Sequence, residues 1–167
     1  MKKAFKTEII LNPSQTDKMN RTIGTCRYVY NLYLTTNQIH YEEHGKHLSG
    51  YDFSKWLNNY HSKKKEFKWI KEVSSKAIKQ SIMNGEKAYR NFFKGISKFP
   101  RFKKKKNQDV KAYFPKNNQT DWTIERHRVK IPTIGFVQLK EYGYLPVNAF
   151  VRSGTVSNKQ EDGLYLF

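Results

Sequence analysis

Residues 3–15 read KAFKTEIILNPSQ, and the fold turns on them. Phe5, Thr7, Ile9 and Leu11 fall on alternate positions, the period of a strand with one buried face. Asn12 and Pro13 end that alternation. Asn12 is a good helix cap, and Pro13 suits the first helical turn, where a missing N–H is no loss. Beyond them Met19, Ile23, Cys26, Tyr30 and Tyr33 lie 4, 3, 4 and 3 apart. That is one stripe down a helix of at most about eight turns, fading near Gly45. A strand that runs straight into a helix must find its partners later in the chain.

Two more helical patterns come first. One runs from Asp52 to about Phe67, with Phe53, Trp56, Leu57 and Tyr60 on one side. The other starts at Ser74 or Ser75 and carries Ile78, Ile82, Gly85, Tyr89 and Phe92 as its stripe, with Gly95 as a stop. After Phe99 the pattern changes. Prolines fall at 100, 115, 132 and 146, and short runs follow: VKAYF, DWTI, RVKI, GFVQLK, AFVRSGTVS and LYLF. ERHR and EDG read as connecting turns. A strand, three helices and five or six strands make an α+β chain. Its simplest architecture is a small β-barrel, opened by the first strand, with a helical bundle inserted after it.

Charge narrows the function. There are 32 Lys and Arg against 14 Asp and Glu, a formal net charge of +18. Such self-repulsion is tolerated beside a polyanion. Aromatic residues make up 15% of the chain, too many for a disordered basic tail. Cys26 is the only cysteine, which leaves no disulfide framework and no cysteine-based zinc ribbon. His40, His44 and His47 have helical spacing, but a frayed helix end explains them, and no metal or other cofactor is expected. No apolar run is long enough for a membrane span and no signal core opens the chain, so a cytoplasmic protein without a membrane partner is expected.

The strongest binding signal is KFPRFKKKKNQ, residues 98–108. Lys103, Lys104, Lys105 and Lys106, with Arg101 and Lys111, can neutralise phosphates and release counterions, so affinity should fall steeply with salt. Phe99 and Phe102 are expected to anchor this loop on the barrel, with stacking on an unpaired base as the alternative. In TCRYVYN, Arg27 and Asn31 lie four apart near Tyr28. They either grip an RNA backbone together or form an intrahelical polar pair.

Four blocks, KAFKTEIILNPSQ, RTIGTCRYVYNLYL, WIKEVSSKAIKQSIMNGEKAYRNFF and FPRFKKKKN, resemble the N-terminal half of the TnpB family, transposon-encoded RNA-guided DNA nucleases related to type V CRISPR effectors. IPTIGFVQLK and GTVSNKQEDGLYLF fit the strands that follow. The resemblance implies a wedge domain, an oligonucleotide-binding-like barrel formed by residues 1–11 and 99–167, split by a helical recognition lobe at 12–98. It implies guide-RNA contacts at the barrel edge, here Lys2, Lys3 and Lys6. It implies DNA-reading positions at Tyr51 and Ser54, at Ser75, Lys76, Lys79 and Gln80, and at Phe114, Pro115 and Lys116. Two lysines at 76 and 79 suit phosphates or guanines rather than adenine edges.

The family's RuvC nuclease and zinc ribbon have no counterpart here, and the acidic residues are scattered rather than clustered for two-metal cleavage. The expectation is therefore a protein without nuclease activity by itself, binding structured guide-type RNA and duplex DNA. It would serve as a recognition half, or as a competitor or regulator of an RNA-guided effector protein. Two other classes compete: an inhibitor docking on a CRISPR effector or its guide RNA, and a plain helix-turn-helix DNA-binding protein.

Overall fold

The computed structural model describes residues 2–106, 111–115, 122–159 and 163–166. The chain is α+β. Strand β1 (Thr7–Ile10) is followed by helices α1 (Pro13–His44), α2 (Gly50–Asn59) and α3 (Ser75–Phe93), then by β2 (Lys111–Pro115), β3 (Thr123–Ile124), β4 (Arg128–Ile131), β5 (Gly135–Leu139), β6 (Ser153–Lys159) and β7 (Gly163–Leu166). It divides into two compact units, residues 1–24 with 105–167, and residues 25–104.

The first unit is built on one antiparallel sheet of order β2-β6-β7-β1-β5-β4-β3. The opening strand does find its partners late: Ile9 sits opposite Leu139 of β5 on one side and Leu164 of β7 on the other. Alternation buries Thr7 and Ile9, Ala112 and Phe114, Val129 and Ile131, and Val137 and Leu139. The registers set apolar partners opposite each other, Val129 facing Val137 and Ala112 facing Val156. The helix start is tied to this sheet. Asn12 Oδ1 accepts from the Gln15 N–H at 2.8 Å, and Gln15 Oε1 accepts from the Asn12 N–H at 3.2 Å, a reciprocal cap. Gln15 Nε2 then donates to the Phe136 carbonyl of β5 at 2.6 Å.

Among the described residues the sheet does not close into the small β-barrel expected from the sequence. β2 and β3 are the two edges of the sheet, and no ladder joins them among the described residues. β3 supplies only two residues, too little backbone for a closing ladder. Side chains meet where backbones do not: Phe114 of β2 lies edge-on to Trp122, just before β3, with ring centroids 6.4 Å apart. The strand expected from AFVRSGTVS also begins late, at Ser153. Residues before it are held as a loop, by the Asn148 N–H on the Ile124 carbonyl at 3.0 Å and by a positive φ of 58° at Asn148.

In the second unit, Val29, Tyr30, Tyr33 and Leu34 of α1 pack with Phe53 and Leu57 of α2 and Ile78, Ile82 and Tyr89 of α3. The helix expected over residues 52–67 ends at Asn59, and short 3-10 turns at His61–Lys63 and Lys65–Glu72 continue it. Lysines at 63, 64, 65 and 68 would crowd like charges at helical spacing. The turns instead stack His61 on Phe67 at 4.1 Å and on Trp56 at 4.9 Å. Ser74 caps α3 by accepting from the Ala77 N–H, and Gly95 ends it with φ 69°.

Gly85 is the tightest point. A Cβ there would lie 2.6 Å from Tyr33 Cδ1. Tyr33 cannot retreat, because it is 1% exposed and its hydroxyl donates to the Leu48 carbonyl at 2.9 Å. Gly85→Ala gains roughly 1 kcal/mol of helix propensity but overpacks a filled core by about 1–3 kcal/mol. We expect Gly85→Ala to lower the urea midpoint; a midpoint equal to or above the parent would show that the ring has room to move.

Candidate nucleic-acid interface

Helices α2 and α3 flank a cavity of about 810 Å3. Tyr51, Ser54, Lys55 and Asn58 come from α2, and Ser75, Lys76, Lys79, Ile82, Met83 and Glu86 from α3. Ile70, Lys71 and Val73 close one end. Four lysines therefore face one carboxylate, Glu86, which itself lies 3.8 Å from the Arg90 guanidinium. Tyr51 is 71% exposed, and the Lys55 ammonium sits 5.2 Å above its ring. The floor is apolar, from Ile70, Ile78 and Ile82. A floor of this kind with a cationic rim suits an anionic ligand carrying flat apolar surface.

Five of the sequence-derived DNA-reading positions, Tyr51, Ser54, Ser75, Lys76 and Lys79, line this groove. Gln80 is not on its wall; its amide donates to Asn84 Oδ1 at 3.0 Å, one turn along α3. Phe114 is 1% exposed in the sheet unit, where it is core and not a reading residue. Pro115 is half-buried at the end of β2, and Lys116 lies outside the described residues. The sequence reading missed Lys55, Asn58, Lys71, Met83 and Glu86. Lys55 and Asn58 were recoverable, since each lies four residues after Tyr51 or Ser54 on the same helical face. Lys71 sits in a 3-10 turn and carried no such signal.

The basic segment is held by α1. Asn31 neither pairs along its helix nor stands open. Its Nδ2 donates to the Lys103 carbonyl at 2.9 Å and its Oδ1 accepts from the Lys103 N–H at 2.8 Å. The Lys103 ammonium lies 4.4 Å above the Tyr30 ring. Phe99 packs edge-on against Phe92 at 5.2 Å and Tyr89 at 5.6 Å, so it anchors the segment on α3 and not on the sheet. Arg101, Lys104, Lys105 and Lys106 are exposed, as are Lys2, Lys3 and Lys6 just before β1. Lys111 is half-buried on β2, and Arg27 is half-buried on α1. Tyr28 is committed elsewhere: it hydrogen-bonds His61 Nε2 at 3.0 Å and packs on Phe67 and Trp69.

Of the histidine trio, the His40 and His44 ring centroids lie 4.6 Å apart, while His47 stacks on Tyr41 and meets the Phe93 ring at a tilt. Among the described residues, no three His, Cys, Asp or Glu side chains form a group that could hold a metal ion. No helix among them is long and apolar enough to cross a membrane. Cys26 is buried, and desolvation raises its thiol to about 11, leaving it protonated and inert.

A strongly basic α+β protein with a lysine-rimmed groove between two helices belongs among nucleic-acid binders. A helix-turn-helix domain family, that of IS605 OrfB proteins, matches residues 1–46. InsQ of Escherichia coli K12, which is named for RNA-guided DNA endonuclease activity, is 30% identical over 154 residues. That match covers 92% of this chain and 37% of InsQ. A similarly named Streptomyces pristinaespiralis protein is 29% identical over 117 residues, covering 70% of this chain and 29% of its own length. Virulence protein VsdF of Salmonella dublin is 32% identical over 113 residues, which cover 63% of this chain and 95% of VsdF. The chain belongs to the TnpB family, and it spans about a third of the length of the endonuclease relatives.

The stacked His61 has a testable titration. Burial, then the neighbouring Lys64 charge, hold its pKa below the ordinary histidine value. Below about pH 6.5 the unfolded ring takes up a proton that the folded ring resists. Stability should therefore be full above that pH and fall as pH drops, until the folded ring is itself protonated. His61→Phe keeps a stacking ring without a titration. Its urea midpoint should drop less between pH 7.5 and 5.5 than the parent's, and an equal drop would show that His61 does not contribute.

Proposed function

We propose that this chain recognises nucleic acid for an RNA-guided system. It binds structured, guide-type RNA along its lysine-rich surface and takes the edge of duplex DNA at the α2–α3 groove. In this reading the sheet unit, residues 1–24 with 105–167, is a wedge domain of oligonucleotide-binding type, and the helical unit, residues 25–104, is the recognition lobe. The chain works as the recognition half of an RNA-guided effector or as a competitor for that effector's RNA or DNA.

The observation that carries this reading is the groove. Tyr51 and Ser54 on α2 meet Ser75, Lys76 and Lys79 on α3, across more than twenty residues of sequence, in a cavity with four lysines and one carboxylate. Lysines at such a rim suit phosphate oxygens and the O6 and N7 edge of guanine. The net charge of +18 supports the same polyanionic partner. The endonuclease relatives, named as RNA-guided and DNA-cleaving, support both nucleic acids. VsdF, matched over 95% of its length, supports a role for a chain of about this extent. The description of the matching family favours a second reading, a plain helix-turn-helix DNA binder. Against it, the described part of residues 1–46 holds one strand and one unbroken helix, with no turn between two helices.

Two variants separate the surfaces. Lys76→Glu with Lys79→Glu should weaken duplex binding at least tenfold. The slope of log K on log salt should fall by about 0.9 for each phosphate no longer neutralised. RNA binding by that variant should stay within about twofold. Replacing Lys104, Lys105 and Lys106 with alanine should do the reverse. Nucleic-acid-free protein that binds neither RNA nor duplex at low salt would sink the proposal, and tight association with an effector protein under those conditions would favour a docking inhibitor instead.

A further inference from the structure

We propose that Phe102, together with Arg101, is a stacking site for an unpaired RNA base. The argument starts from how the chain is fastened. On one side Phe99 is set against Phe92 and Tyr89, and Pro100 fixes its own φ while holding the residue before it extended. On the other side both backbone groups of Lys103 are hydrogen-bonded to the Asn31 side chain, and the Lys103 ammonium lies over Tyr30. Three residues separate the fastened points. Phe102 is one of them and is 55% exposed, and no other ring packs on it among the described residues.

A lone exposed phenylalanine usually needs no explanation. This one stands between two fastened points, the Phe99 ring packed on α3 though itself 48% exposed and the Lys103 backbone bonded to Asn31, and it lies between the exposed Arg101 and Lys104. Residues 94–106 carry seven lysines and arginines and no carboxylate. An aromatic ring interleaved with cations is how proteins hold a single strand: the ring stacks a base and the cations take the flanking phosphates. A duplex offers no unstacked base without unpairing, whereas a structured RNA presents them in loops and bulges. The occupant is therefore an RNA loop, a conclusion that rests on the RNA half of the proposed function. Asn31 acts here as a positioning residue, since it touches the segment and not the base.

The test uses the full chain and an RNA hairpin with an adenosine-rich loop carrying one 2-aminopurine. A fully paired RNA duplex of the same stem serves as control. Wild type should bind the hairpin and quench the fluorophore. Phe102→Leu should bind the hairpin about tenfold more weakly and lose the quenching, with an unchanged melting temperature and unchanged affinity for the paired control. Phe102→Trp should keep both. Asn31→Ala should reduce quenching in the same direction while leaving the paired control unaffected. Undiminished quenching and affinity in Phe102→Leu, with wild type binding RNA normally, would overturn the stacking site and leave the RNA reading standing. Wild type that binds neither RNA overturns both. Equal quenching of a DNA hairpin of the same sequence overturns the assignment to RNA.

Discussion

Tyr33 against Gly85 is the contact on which the helical unit depends. With no Cβ at position 85, α3 approaches α1 to the thickness of one phenol ring. The same ring meets Phe53 of α2 at 5.2 Å and Tyr89 of α3 at 6.3 Å, and its hydroxyl ties down the segment before α2. One side chain thereby sets where α2 and α3 stand relative to α1. The cavity between α2 and α3 follows from that placement, and so does the meeting of Tyr51 with Lys76 and Lys79. Burial and the nearby Glu86 charge push the Tyr33 hydroxyl well above the usual phenol range, so it remains a donor to Leu48 at any physiological pH.

Charge poses the opposite constraint. A chain with a net +18 gains nothing from folding its lysines together, and the structure keeps most of them on surfaces while fastening a few. Lys103 is the clearest case: its backbone is bonded by Asn31 and its ammonium rests on a ring, which removes one cation from open solvent. Exposed pairs such as Arg21 with Asp17 and Arg128 with Glu125 add little to stability. What holds the protein together is apolar. What the surface charge prepares is association with a polyanion, at a rate and affinity that salt controls.

Much of the fold was legible because it is periodic. The stripe from Met19 to Tyr33 is buried as its 4, 3, 4, 3 spacing requires, and the α3 stripe is buried from Ile78 to Tyr89 but not at Phe92, which is half-buried near the helix end. Asn12, Pro13 and Gly45 mark the ends of α1, each for a local reason: a cap, a fixed φ, and a φ of 64°. The break after Asn59 was not legible, because it is decided by a stack of His61, Phe67, Trp56 and Tyr28 that joins separate segments. The open edge of the sheet was hidden as well, since alternation shows which face of a strand is buried and says nothing of whether the last strands meet.

The site divides the same way. Residue type alone marks the lysine run, Phe99, Phe102, Arg27 and Asn31 as worth attention, because cations and rings are what a nucleic acid needs. It cannot assign their tasks. Phe99 and Phe102 are indistinguishable in sequence and are exposed to a similar degree, yet Phe99 meets the Tyr89 and Phe92 rings of α3 and Phe102 meets no ring among the described residues. Asn31 reads either as a ligand-facing amide or as an intrahelical partner of Arg27, and it is a backbone clamp. Phe114 reads as a DNA-contacting residue and is core. The α+β class, the helical stripes and a polyanionic partner are written in the order of residues, since they follow from period and charge, which are local or additive. Which side chains are spent on the protein itself and which remain for a ligand is settled by folding, because burial and hydrogen-bond pairing join residues far apart in the chain.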